Sequence, residues 1–263
     1  MKKSQRLLSD SELKTLLDKY YHLYNTNRFI ESDPVFIPHH FTKTEDIEIS
    51  GLFAATLAWG QRPTIIKNGL KLMQWMDYDP YNFILQHSAA DLTRFLNFAH
   101  RTFNGVDVLN FISGLNHIYN QEKSIGNLFY EYLKSDQNDL AGAIGYFRNK
   151  MIERFTHQRS KKHIANPLAN ASAKRLCMYL RWMVRKDKFG VDFGIWNLPS
   201  SVLRCPLDVH TARASRQLGL LSREQNDWKA VEILTENLKR FDADDPVKYD
   251  FALFGMSLNK DIY

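Results

Sequence analysis

Cysteine is scarce in this chain of 263 residues, and that already excludes several kinds of protein. Cys177 and Cys205 are too few for a disulfide framework. They are also too few for an all-cysteine zinc site or an iron–sulfur cluster, each of which takes four thiolates. No metal and no cofactor are expected. Glycine and proline are sparse as well, with no linker-like or low-complexity stretch and no internal repeat, so lobes hung on a flexible tether are not expected. Long hydrophobic runs are missing: Leu52 to Trp59, the most apolar stretch, is broken by Thr56 and far too short to span a bilayer. Met1 to Arg6 starts like a secretion leader, yet only Leu7 and Leu8 follow before Asp10, without the apolar core a leader needs. The expectation is a cytoplasmic chain with no membrane partner.

Hydrophobic residues make up 44% and charged residues 24% of the sequence, which separates it from disordered and fibrous chains. Charge is placed unevenly. From Arg148 to Lys188 there are twelve Lys/Arg against Glu153 and Asp187, so that the rest of the chain is net acidic although the whole carries +6. A basic segment on an acidic body is the electrostatic footprint of a nucleic-acid binder; a solvated helix face would show the same composition.

Apolar residues recur at helical spacing almost throughout. Ser9-Asp10-Ser11-Glu12 has the form of a capping box ahead of Leu13, Leu16, Leu17, Tyr20 and Tyr24. Glu45 to Trp59 is apolar on most sides and predicts a buried central helix, and Pro63 sits in the first turn of the next. Further helices are predicted around Val108–Tyr119, Leu140–Met151, Ala171–Arg185 and Val209–Leu218, and from Asp245-Pro246 onward. The polar run from His157 to Asn170 is expected to be the most mobile segment. Period-two alternation persists nowhere, so the fold is predicted to be all-α.

Three segments, in order, resemble the helix-hairpin-helix (Gly/Pro-Asp) DNA glycosylase superfamily, of which endonuclease III is the founding example. Glu48 to Gln61 is similar to its buried early helix, which closes on a small-residue turn and a glutamine. Ser172-Ala173-Lys174-Arg175-Leu176 is similar to the second helix of the hairpin, which begins at the catalytic lysine. Pro206-Leu207-Asp208-Val209-His210 is similar to the segment with the catalytic aspartate, and Asp244 to Gly255 to the closing helix. The phrase Leu180 to Trp196 further resembles a bacterial family described as a domain of unknown function. The sequence also departs from the superfamily. The hairpin stretch Pro167 to Ser172 has no glycine, Lys174 and Asp208 stand 34 positions apart, longer than in endonuclease III, and the cluster cysteines are missing.

The resemblance implies two helical lobes with a cleft between them, one spanning residues 44–197 and the other combining 1–43 with 198–263. It implies a DNA glycosylase that acts in base-excision repair, as a monomer on damaged duplex, with abasic-site lyase activity if Lys174 is a nucleophile; if bound to DNA it would associate with the nucleoid. Asp208 would stabilise the positive charge that develops on the sugar, although an aspartate before a helix needs no role beyond capping. A free lysine is protonated at neutral pH, so Lys174 would need burial or neighbouring cations such as Arg175 to act as an amine. Gln61 would fill the gap left by a flipped base, or merely close a helix turn. Arg175, Arg181, Arg185, Lys161 and Lys162 would contact the nucleic acid, and Trp59, Trp182 and Trp196 could stack on a base or belong to the core. Cys177 reads as a buried apolar residue. A non-catalytic DNA binder with the same cleft, or an RNA-directed protein, fits the same residues.

Overall fold

Ser9 starts the first helix by the reciprocal bonds its sequence offers. The Ser9 hydroxyl accepts the Glu12 N–H, and the Glu12 carboxylate accepts the Ser9 N–H at 2.8 Å. The structure, a computed structural model, describes residues 8–136 and 139–259, and the leader-like start Met1 to Arg6 lies outside the described residues. Helix α1 (Asp10–Tyr24) buries Leu13, Leu17 and Tyr21. A short α2 (Asn27–Ser32) leads to Asp33, whose carboxylate caps the tight turn Pro34–Phe36 by accepting the Val35 N–H at 3.1 Å.

Helix α3 (Thr44–Leu57) is buried from Asp46 to its end, as its apolar circumference predicts. α4 (Arg62–Trp75) follows with Pro63 in its first turn. α5 (Pro80–Gln86) and α6 (Ala89–Leu92) are short. Strands β1 (Ala99–His100) and β2 (Phe103–Asn104) form a two-residue antiparallel hairpin that the sequence periodicity does not show. Then come α7 (Gly105–Glu122), α8 (Ile125–Ser135) and α9 (Leu140–Ile152). The fold is all-α.

The segment expected to be mobile is anchored instead. Its turns Gln158–His163 and Pro167–Ala169 pack on α7 and α9. Ser160 is fully buried: its hydroxyl donates to Asp107 at 2.6 Å and accepts from Asn110 at 2.8 Å. Polarity here reflects a buried network rather than solvation. Helix α10 (Lys174–Val184) begins later than the predicted Ala171, because Ala173 takes a left-handed φ of 49° that a helix cannot contain. α10 packs on α3, where Gly51 allows the approach: a Cβ there would come within 3.0 Å of Met183.

Asp208 caps α11 (Val209–Gln217) as predicted. Asp227 caps α12 (Trp228–Lys239), a helix the sequence periodicity did not single out. At Asp245-Pro246 the chain makes a tight turn, Pro246–Lys248, so the last helix, α13 (Tyr249–Asn259), starts later than predicted. α13 packs on both α1 and α11, which brings the two ends of the described chain together.

Candidate active site

Lys174 and Asp208 reach one cleft from two helix N-termini. Lys174 is the first residue of α10, and Asp208 is the cap of α11. Oδ1 of Asp208 accepts the N–H groups of His210 at 2.8 Å and Thr211 at 3.0 Å, which fixes the carboxylate and supports its charge at the positive end of the helix. Oδ2 is left to face Lys174, whose Nζ lies 3.7 Å away and also 3.8 Å from the Met178 sulfur. Both side chains are partly exposed, at 27% and 24%, so a molecule entering the cleft can meet them.

The cleft has a volume of about 670 Å³. Its walls come from α2, the turn between α3 and α4, α10, α11 and α13, and include Phe29, Trp59, Met178 and Phe254. Beneath these lie carboxylates whose setting raises their proton affinity. Burial pushes Asp250 up to about 6, against the pull of the Arg181 guanidinium to which it is ion-paired. Burial likewise raises Asp33, opposed by the Val35 N–H and by Arg62. His210 sits edge-on to Phe254 and lines the same cleft.

The residues expected to contact nucleic acid separate into two groups. Arg181 and Arg185 are buried, and this corrects their expected role. Arg185 donates to Asp245 at 2.8 Å, to Asp192 at 3.0 Å and to the Tyr21 hydroxyl at 2.8 Å, and pairs with Asp187 at 2.7 Å. Arg181 pairs with Asp192 and Asp250 and lies over the Phe251 ring. Desolvated arginines engaged by several carboxylates hold elements together, although Arg181 also lines the cleft. Arg175 lines the cleft, and its guanidinium donates to the Thr56 carbonyl at the end of α3. Lys161 is half-buried and Lys162 is exposed. Other cations of the basic segment are engaged within the protein: Arg148 donates to the Ile164 carbonyl, Lys150 pairs with Glu122, and Arg159 pairs with Asp107.

Among the aromatic candidates, Trp182 is completely buried, and Trp196 is 6% exposed with its indole N–H donating to Glu48 at 2.7 Å. Both are core residues and cannot stack on a base. Trp59 is the reverse case: it is 47% exposed, lines the cleft, and carries Arg101 of the β-hairpin 4.4 Å above its ring. Gln61 is exposed in the turn before α4, two residues from Trp59, and its side chain makes no hydrogen bond among the described residues. Cys177 is buried, and desolvation pushes its thiol up to about 12, leaving it inert at neutral pH.

Sequence reasoning missed Asp33, Arg62 and Asp250 as cleft residues. Asp33-Pro34 carried a cap signal and Arg62 adjoins Gln61, but neither pattern shows that a residue faces a cavity assembled from distant segments.

No helix among the described residues is long and apolar enough to cross a membrane. No curated protein and no solved structure matches the chain. A family model does match, over residues 33–259, which include the cleft residues Asp33, Arg62, Lys174, Asp208 and Asp250: the chain belongs to the family described as protein of unknown function DUF2400.

Proposed function

We propose that the protein is a DNA glycosylase that takes a damaged base into the cleft and cleaves its N-glycosidic bond, with Lys174 as the nucleophile and Asp208 as the charge-stabilising carboxylate. The observation that carries this reading is the meeting of Lys174 Nζ and Asp208 Oδ2 at 3.7 Å on the wall of a cavity of about 670 Å³. Two residues 34 positions apart, each at a helix N-terminus, meet on one wall of the cavity, where a sugar carbon could approach both.

In the reaction, the bond between C1′ and the base nitrogen breaks, and its electron pair leaves with the base. Asp208 stabilises the positive charge that builds on the sugar, fixed in place by two backbone N–H groups before the charge appears. Asp208 also lies where it can take the proton that Lys174 must lose to become nucleophilic. The amine lone pair forms the bond to C1′, and the departing base collects a proton. Opening of the sugar ring then gives a Schiff base, and loss of the C2′ proton expels the 3′ phosphate. Gln61 and Trp59, both exposed on the turn between α3 and α4, would occupy the space that the flipped base leaves.

The test is excision from duplexes that each carry one lesion of a broad panel. Wild-type protein should release at least one damaged base. Asp208→Asn keeps an oxygen for the two capping N–H groups and removes the charge, so it should lower excision by about 100-fold or more while DNA affinity is retained. Binding across the panel with no excision would instead favour a non-catalytic DNA binder, and tight binding to RNA alone would favour an RNA-directed protein.

A further inference from the structure

Arg62 and Asp33 face each other in the cleft, and the chemistry proposed for Lys174 and Asp208 uses neither. Arg62 Nη2 is buried without a hydrogen-bond acceptor, an arrangement that costs stability unless something bound supplies one. Its nearest carboxylate oxygen, Asp33 Oδ2, is 3.9 Å away, beyond hydrogen-bond reach. Asp33 is 7% exposed, and its other oxygen is held by the Val35 N–H. The guanidinium lies over the rings of Phe29 and Phe254, at 6.0 Å and 5.1 Å from their centroids. All four residues line the cleft. A group that only donates and a group that accepts thus stand side by side in the cleft, each with capacity left over.

On the reading of the cleft as a base pocket, we infer that Arg62 and Asp33 read the edge of the base and select one that offers a carbonyl oxygen beside a ring N–H. The guanidinium can meet only an acceptor, and its fork of N–H groups suits an atom with two lone pairs. A carbonyl oxygen has two; an amino-substituted base puts N–H donors at that position, which the guanidinium cannot pair with. Asp33 Oδ2 accepts the adjacent N–H. Phe29 and Phe254 line the same cleft beside the base, and Lys174 and Asp208 remain free for the sugar.

Hypoxanthine and adenine isolate this difference, since the first has a carbonyl beside N1–H where the second has an amino group beside a bare nitrogen. Calorimetric titration of the whole protein with each free base should show hypoxanthine binding at least ~10-fold more tightly than adenine. The preference should vanish in Arg62→Met and in Asp33→Asn. The asparagine amide still offers an oxygen to the Val35 N–H, so the turn is kept, and the thermal midpoint of each variant checks that it folds. Equal binding of the two bases by wild-type protein, no binding of either, or a preference that survives both substitutions in folded protein would overturn the inference. Borohydride trapping of Lys174 on a duplex with a preformed abasic site needs no base, so it reports separately on the excision chemistry. An adduct without base preference removes only the edge-reading pair; base preference without an adduct removes only the catalytic reading.

Discussion

One oxygen of Asp208 caps α11 while the other faces Lys174, so cap and charge can be separated by substitution. The sequence alone could place the cap, because Pro-Leu-Asp before an apolar helical pattern is a local signal. It could not place the second oxygen, which depends on where α10 delivers Lys174. Asp250 shows the same limit more strongly: within its helix it is an acidic residue with no local pattern to mark it, and only burial and Arg181 give it an unusual proton affinity. With its folded-state value raised to about 6, above the ~3.9 of an unfolded chain, ionising Asp250 weighs against the folded state. Its stabilising contribution is therefore full below about pH 4 and is lost as pH rises through about 6. Carbon NMR of the Asp250 carboxyl should give a midpoint near 6. A midpoint below about 4 would contradict this picture of a desolvated carboxylate at the cleft floor.

At the scale of elements, α10 sets the site. Its N-terminus carries Lys174, and its C-terminal end carries the two arginines that engage acidic residues from other segments, Asp250 on α13 and Asp192 and Asp245 in loops. The turn into α10 uses no glycine, yet Asn170 and Ala173 take left-handed φ values of 62° and 49°, at a cost of about 1 kcal/mol or more for the alanine. Bonds from Asn170 to Asp227 and to the backbone at the start of α12 offset part of that strain. The helical period shows that α10 exists, but a count of charges makes Arg181 and Arg185 look like surface cations. Composition does not distinguish a solvated arginine from a buried one whose carboxylate partners lie far away in sequence. Arg185→Ala should cost about 3–5 kcal/mol in denaturant unfolding, because it strands buried carboxylates. A loss under about 1 kcal/mol would mean that the network is solvated after all.

Across the whole molecule, much of the charge of the segment from Arg148 to Lys188 is turned inward or paired. Arg154, Arg159, Lys162, Lys186 and Lys188 are its exposed cations, and Arg159 already pairs with Asp107. Nucleic-acid binding should then be less salt-dependent than twelve cations suggest. Reversing Lys161 and Lys162 together to Glu should lower the slope of log affinity against log salt by about 2 on duplex DNA, read by titration at several salt concentrations; an unchanged slope would place the phosphate contacts elsewhere. The all-α architecture was legible because apolar spacing is local information. The cleft was legible only as far as the glycosylase resemblance carried Lys174 and Asp208, while Asp33 and Arg62 required the folded chain. The central claim is that the amine of Lys174 and the carboxylate of Asp208 act together on one sugar carbon. Borohydride trapping on an abasic-site duplex, with peptide mass analysis of the adduct, tests it most directly. One covalent adduct is expected, located at Lys174, absent in Lys174→Gln and strongly reduced in Asp208→Asn; an adduct at another residue, or none with wild-type protein, would contradict joint action of the two residues.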